Sequence, residues 1–230
     1  MSDTTLIPAP AAARGSPPAA AQAEPASPEV FGPLINLAGR QRMLSQRIVL
    51  YAMLSAQGDS AGLTTAGEAL ELFRGSHLKL LRSRDTVPPS AAAVLQEAFF
   101  GAQGADAPIR EFMRLAEDTL TAVAAGGAAA RRLLPSLVAR ATPTLGLLNT
   151  LTQTFETLGR QQALLQQQHR TALISQIQRI ASEARIVSLN ARVIAARSGT
   201  DGREFAVVAA ELSSISERIE RLSKAAMASG

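Results

Sequence analysis

The chain has 230 residues, a net charge of +4, two histidines and no cysteine, which excludes disulfides, thiolate catalysis and metal sites built from cysteine or histidine. Hydrophobic residues make up 47% of it but aromatic ones only 3%, so the expected core is one of small aliphatic side chains in closely packed helices. The scattered arginines form no dense basic run with interleaved aromatics, which argues against a nucleic-acid interface.

Residues 1–27 (with PAPAAARGSPPAAAQAEPASP) are too poor in large apolar side chains to offset the entropy of ordering, and read as a disordered tail. Ser27 and Pro28 form a plausible N-cap and N1 pair for a first helix. Its apolar positions Leu34, Leu37, Leu44, Ile48 and Tyr51 follow three- and four-residue spacing, with Gln41 filling the gap, and it should end near Gln57 and Gly58. A second helix is expected over 61–84, carrying Leu63, Ala66, Leu70, Phe73, His77, Leu80 and Leu81, and stopped by Val87, Pro88 and Pro89. The third reads as broken: 90–100 helical, the loop GAQGADAP, then 109–125 helical again. After a turn at Gly126 and Gly127 a fourth helix runs from 128 to 168, with Pro135 or Pro143 as a kink point. Residues 28–158 therefore predict a four-helix bundle with short connections.

The Gln-rich stretch 159–172 loses the heptad register and reads as a junction. Beyond it, Leu173, Ile177, Ile180, Ala184, Val187, Ala191 and Ile194 alternate spacings of four and three. A turn at 198–202 follows, and Phe205, Val208, Leu212, Ile215, Ile219, Leu222 and Ala226 repeat the pattern. Two matched stripes about a glycine turn predict an antiparallel coiled-coil hairpin over 173–230. The fold class is all-α: a four-helix bundle followed by this hairpin. No run of about 18 apolar residues predicts a membrane span. With Asp3 near the start and no apolar leader, the expected location is cytoplasmic.

Residues 34–54, LINLAGRQRMLSQRIVLYAML, set Arg40, Arg42 and Arg47 among apolar side chains. A guanidinium is a permanently charged planar fork of donors, suited to a planar anion. Arg42 and Arg47 stand about 140° apart on one helix at about 100° per residue, so they do not easily converge on one small anion. Either they cover a bundle surface, or Arg42 meets its own copy across a two-fold axis with an anion between.

The run INLAGRQRMLSQR (35–47) closely resembles the opening motif of PilJ-type and nitrate-sensor-kinase N-terminal domains. That resemblance covers roughly residues 30–125. It implies a four-helix sensor bundle binding nitrate or nitrite at a homodimer interface. It makes Arg42 the main anion ligand, Gly39 a backbone contact and Arg47 a supporting residue; Asn36, Met43 and Ser45 also match the motif. Members of that family are usually flanked by membrane spans, and none is found here.

The run 180–216 resembles the signalling tip of methyl-accepting chemotaxis proteins, through Leu189-Asn190-Ala191, Ala195-Ala196-Arg197, Gly199, Gly202, Phe205-Ala206-Val207-Val208-Ala209 and Glu211. It implies contact with a chemotaxis histidine kinase and its coupling protein, with Asn190 and Arg197 as the polar candidates. Three positions depart from the pattern. Ile194 stands for an acid, Ser182 for a Phe and Glu204 for a small residue. No paired Glu/Gln methylation segments are found, so adaptation by methylation is not expected.

Nothing gathers catalytic groups: no phosphate loop, nucleophile elbow or metal cluster is legible, and neither an enzyme nor a cofactor is expected. His77, on an apolar face, reads as a core or boundary residue and His169 as exposed. Asp85, Glu97, Asp106, Glu111, Glu117 and Asp118 read as isolated, solvated acids. Two functions fit. One is a chemoreceptor-like transducer that senses a small anion. The other is a ligand-independent adaptor associated with chemoreceptor arrays or type IV pilus signalling.

Overall fold

The computed structural model describes residues 30–228; the tail at 1–27 and the Ser27–Pro28 cap lie outside them. Among the described residues there are six α-helices and no strand: α1 (Phe31–Ala56), α2 (Gly62–Arg82), α3 (Pro89–Phe100), α4 (Asp106–Ala125), α5 (Ala128–Arg197) and α6 (Arg203–Ala228). None is long and apolar enough to cross a membrane.

The breaks fall where backbone chemistry demands them. α2 tightens into a 3-10 turn at Ser83–Asp85 before Pro88, and Pro89 opens α3 where its missing N–H has no helical partner to lose. Gly126 and Gly127 take φ of 62° and 152°, conformations that L side chains resist, and they reverse the chain between α4 and α5. The expected broken third helix is two separate helices, and Pro108 is accommodated in the first turn of α4.

α1, α2, α4 and the first half of α5 pack as the bundle, with α3 laid against α5 and the end of α2. Its core is mainly the aliphatic one expected, of Ala, Leu, Ile and Val, with five phenylalanines set into it. Phe31, Phe73, Phe99, Phe112 and Phe155 are its largest fully buried side chains. Phe73 meets Phe112 with ring centroids 5.7 Å apart, and Phe99 meets Phe155 at 6.4 Å. A low aromatic fraction says nothing about where those few rings gather, and here they gather at one core.

α5 is a single helix of 70 residues containing both Pro135 and Pro143. The end expected at Gln168 does not occur. Losing the heptad register removes a packing partner, not the helix, because Gln, Leu, Ala and Arg all favour helix without one. The side chains at 163–173 are exposed accordingly.

The C-terminal half of α5 and α6 form the antiparallel hairpin, but its internal seam is not the stripe of large residues. Ala181, Ser188 and Ala195 of α5 and Ala209, Ser216 and Ser223 of α6 are the buried positions, each set at seven-residue spacing. Small side chains let the two backbones approach closely. The serines satisfy their hydroxyls locally: Ser188 Oγ donates to the Ala184 carbonyl at 2.8 Å and Ser216 Oγ to the Leu212 carbonyl at 2.9 Å. At the turn, a Cβ on Gly202 would run into the Ala195 carbonyl oxygen, so no larger residue fits that close approach.

Candidate functional site

The first candidate surface is the outer face of α1. Ala38, Gln41, Leu44, Ser45, Ile48, Val49 and Ala52 point into the bundle. The opposite face presents Asn36, Arg40, Met43, Arg47 and Leu50, all exposed and spaced by fours and threes. Met43 is 59% and Leu50 53% exposed. A face mixing large apolar side chains with guanidiniums at this spacing has the form of a helix seam without its partner.

Arg42 lies on the shoulder of that face, between the buried stripe and the open one. Its Nη1 donates to Asn149 Oδ1 of α5 at 3.2 Å. Arg47 instead lies over the Tyr51 ring, 5.7 Å from its centroid. The two arginines therefore engage different partners within one chain. Gly39 is in the helix interior, where its N–H is committed to the helical ladder. A Cβ there would meet nothing within 4 Å, so what Gly39 offers is room rather than a donor. Asn36 is exposed on the open face. Ser45 is buried, its Oγ donating to the Arg42 carbonyl at 2.8 Å, and Gln41 Nε2 reaches the Phe73 carbonyl of α2 at 3.5 Å. These two motif residues brace α1; they do not face outward.

Sequence reasoning missed a buried polar cluster. Asp106, expected to be solvated, is only 8% exposed. It accepts from His77 Nε2 at 2.7 Å and from Arg110 Nε at 2.8 Å. Burial pushes the His77 imidazole below its ordinary value, against the opposing pull of Asp106. Burial pushes the Asp106 carboxyl up, but the hydrogen bonds from His77 and Arg110 together outweigh it and hold the group down. The neutral imidazole thus donates through Nε2, and Nδ1 is buried without a partner. His77 and Asp106 are 29 residues apart, and the apolar face around His77 was the one hint that it is buried. Glu111 and Glu117 are exposed, as expected, but pair with Arg140 and Arg74. No group of three or more His, Asp or Glu able to hold a metal ion occurs among the described residues.

The second candidate surface is the tip of the hairpin. Asn190 and Arg197, seven residues apart on α5, share one face, are exposed and have no side-chain partner among the described residues. Around them Val187, Val193 and Ile194 of α5 and Phe205, Val207 and Val208 of α6 are exposed, Phe205 by 73%. The large apolar side chains that the heptad pattern assigned to the hairpin's own seam instead cover its outside. So continuous an apolar surface marks an interaction face. The three departures from the tip pattern, Ser182, Ile194 and Glu204, are all exposed as well.

Comparison with known families defines the class of helical protein. Residues 32–99 match the family described as type IV pili methyl-accepting chemotaxis transducer N-term, PilJ. Residues 146–227 match the methyl-accepting chemotaxis protein (MCP) signalling domain. The chain thus joins a PilJ-type N-terminal segment to a chemoreceptor signalling segment, and α5 carries the second match out of the bundle and into the hairpin. Among individual proteins, it is 41% identical over 54 residues to the biofilm dispersion protein BdlA of Pseudomonas aeruginosa. The match covers 24% of this chain and 13% of that relative's length. No solved structure matches.

Proposed function

We propose that this chain is a chemoreceptor-like signal transducer, not an enzyme. It acts in the cytoplasm as a homodimer whose bundle senses a small anion, with nitrate or nitrite the first candidates. The observation that carries this reading is the unbroken α5, one helix common to the PilJ-type bundle and the chemoreceptor-type hairpin. On this reading the bundle comprises 28–158, the junction 159–172 and the signalling hairpin 173–230.

The open face of α1 supplies the dimer seam, and Arg42 from each copy approaches one anion, with Arg47, Gly39 and Asn36 alongside. The hydrogen bond from Arg42 to Asn149 supplies the coupling. An anion competes with the Asn149 carbonyl oxygen for the same guanidinium, so its binding alters how α1 sits on α5. Such a ligand shifts the population of two packings by as much as its affinities for them differ. The hairpin carries the change to a chemotaxis histidine kinase and coupling protein, through Asn190 and Arg197. Calorimetric titration with nitrate and nitrite tests this. Binding that is lost in Arg42→Ala and retained in Asn149→Ala is expected; no heat with either anion overturns the nitrate reading.

A second reading, an adaptor that joins receptor arrays or type IV pilus signalling without a ligand, is favoured by the exposed Ile194 and Glu204 at the tip. Kinase and coupling-protein capture by the hairpin that no anion changes would select it.

A further inference from the structure

We propose that a groove between α2 and α4 is a ligand site, separate from the outer face of α1, for a small organic monocarboxylate with a short aliphatic body. The groove, of about 350 Å³, is lined by Arg74, His77 and Leu78 of α2 and by Arg110, Met113 and Arg114 of α4. That volume is at the small end of ligand sites.

Three arginines line the groove together with the apolar Leu78 and Met113. Arg110 is held by Asp106 at one end. Arg74 Nη2 donates to Glu117 Oε2 at 3.2 Å at the other. Arg114 is exposed and has no ion pair among the described residues. Glu117 is the one acid lining the groove. With Asp106 beneath it and Glu71 beside Arg74, three positive charges meet three negative ones, and among the described residues Arg114 is the guanidinium left without an ion pair to meet an anion from the groove. The second observation is independent of charge. Arg74 Nε is buried and donates to nothing; Glu71 Oε1 stands 3.7 Å away, beyond hydrogen-bonding reach. A buried N–H donor beside a groove invites an acceptor from it. Leu78, 46% exposed, and the half-buried Met113 supply an apolar bed for the rest of the molecule. A carboxylate reached by Arg114 and Arg74, with its alkyl chain along Leu78 and Met113, uses each of these features. Nitrate or chloride would use only the charge.

The methionines make the test specific, since Met113 lines the groove while Met43 and Met53 lie on α1. Full-length protein with 13C-methyl methionine is titrated with butyrate, acetate and, at matched ionic strength, chloride. Butyrate is expected to shift the Met113 methyl saturably and leave Met43 and Met53 in place. Acetate should bind several-fold more weakly, lacking the chain that meets Leu78. Arg114→Gln, at an exposed position without a partner, should weaken butyrate about tenfold, and Arg114→Lys should recover part of the loss. No saturable shift at Met113, an equal shift with chloride, or an unchanged affinity in Arg114→Gln would each overturn the proposal. A shift at Met43 or Met53 on adding nitrate concerns the α1 face instead.

Discussion

The bundle and the hairpin are both helical and both carry large apolar side chains at three- and four-residue spacing, yet they use them in opposite ways. The bundle turns five of its six phenylalanines and most of its leucines inward and closes over them within one chain. The hairpin closes over Ala181, Ser188, Ala195, Ala209, Ser216 and Ser223 and leaves its isoleucines, valines, leucines and Phe205 outside. Periodicity reveals that a face will be covered; it does not reveal by whom. Two helices have one seam between them, and with the smallest residues in it the larger ones stay uncovered within one chain; in the homodimer proposed above, a second copy of the hairpin would cover them.

The contrast can be broken at the bundle first. Phe73→Ala should cost about 3–5 kcal/mol of folding stability, as for other buried aromatics cut to Ala, read by denaturant unfolding. Gly202→Ala comes next. Its added methyl meets the Ala195 carbonyl, and an overpacking penalty of about 1–3 kcal/mol is expected. That loss should be confined to the hairpin and appear as lower amide-exchange protection around 195–209, with the bundle unchanged.

Acid sharpens the comparison further, because the buried titrating pair belongs to the bundle alone. His77 is depressed below its ordinary 6.5, so the unfolded chain takes up the proton first. Stability is therefore fully present above about pH 6.5 and declines as pH falls through the lower folded value. Asp106, also depressed, adds a second decline once pH drops below its ordinary 3.8. His77→Gln should remove the first decline, as measured by the pH dependence of thermal unfolding. The smallest effect on folding is expected from Val187→Glu with Leu212→Glu, at exposed sites where substitutions change stability by less than about 0.5 kcal/mol each. The same pair should abolish self-association through the hairpin, measured by sedimentation. Unchanged association would show that these side chains do not form the contact.

Much of the fold is legible in the sequence because its punctuation is local. Pro88 and Pro89, the Gly126–Gly127 pair and the Gly199–Gly202 turn each act on the backbone beside them, and the helix limits follow. What is not legible depends on distance along the chain or on a missing partner. The hydrogen bond from Arg42 to Asn149 spans 107 residues, so the motif locates Arg42 without showing that α5 holds it. Asp106 looks like a surface acid until α2 brings His77 against it. The continuity of α5 is not legible because a lost heptad register in a sequence looks the same whether or not the helix runs on.

That continuity sets a rule of phase. From residue 159 to 197 the rod reaches about 57 Å at about 1.5 Å per residue, so tilting its base by about 1° carries the far end about 1 Å sideways. Rotation is carried over the same distance. Inserting a single residue between Gln166 and Gln167 would turn every side chain of the distal arm by about 100° relative to the proximal one, whereas inserting seven would restore the original azimuth to within about 20°. The stretch without a packing partner is thus the angular gauge of the molecule, and its length in residues matters more than their identity.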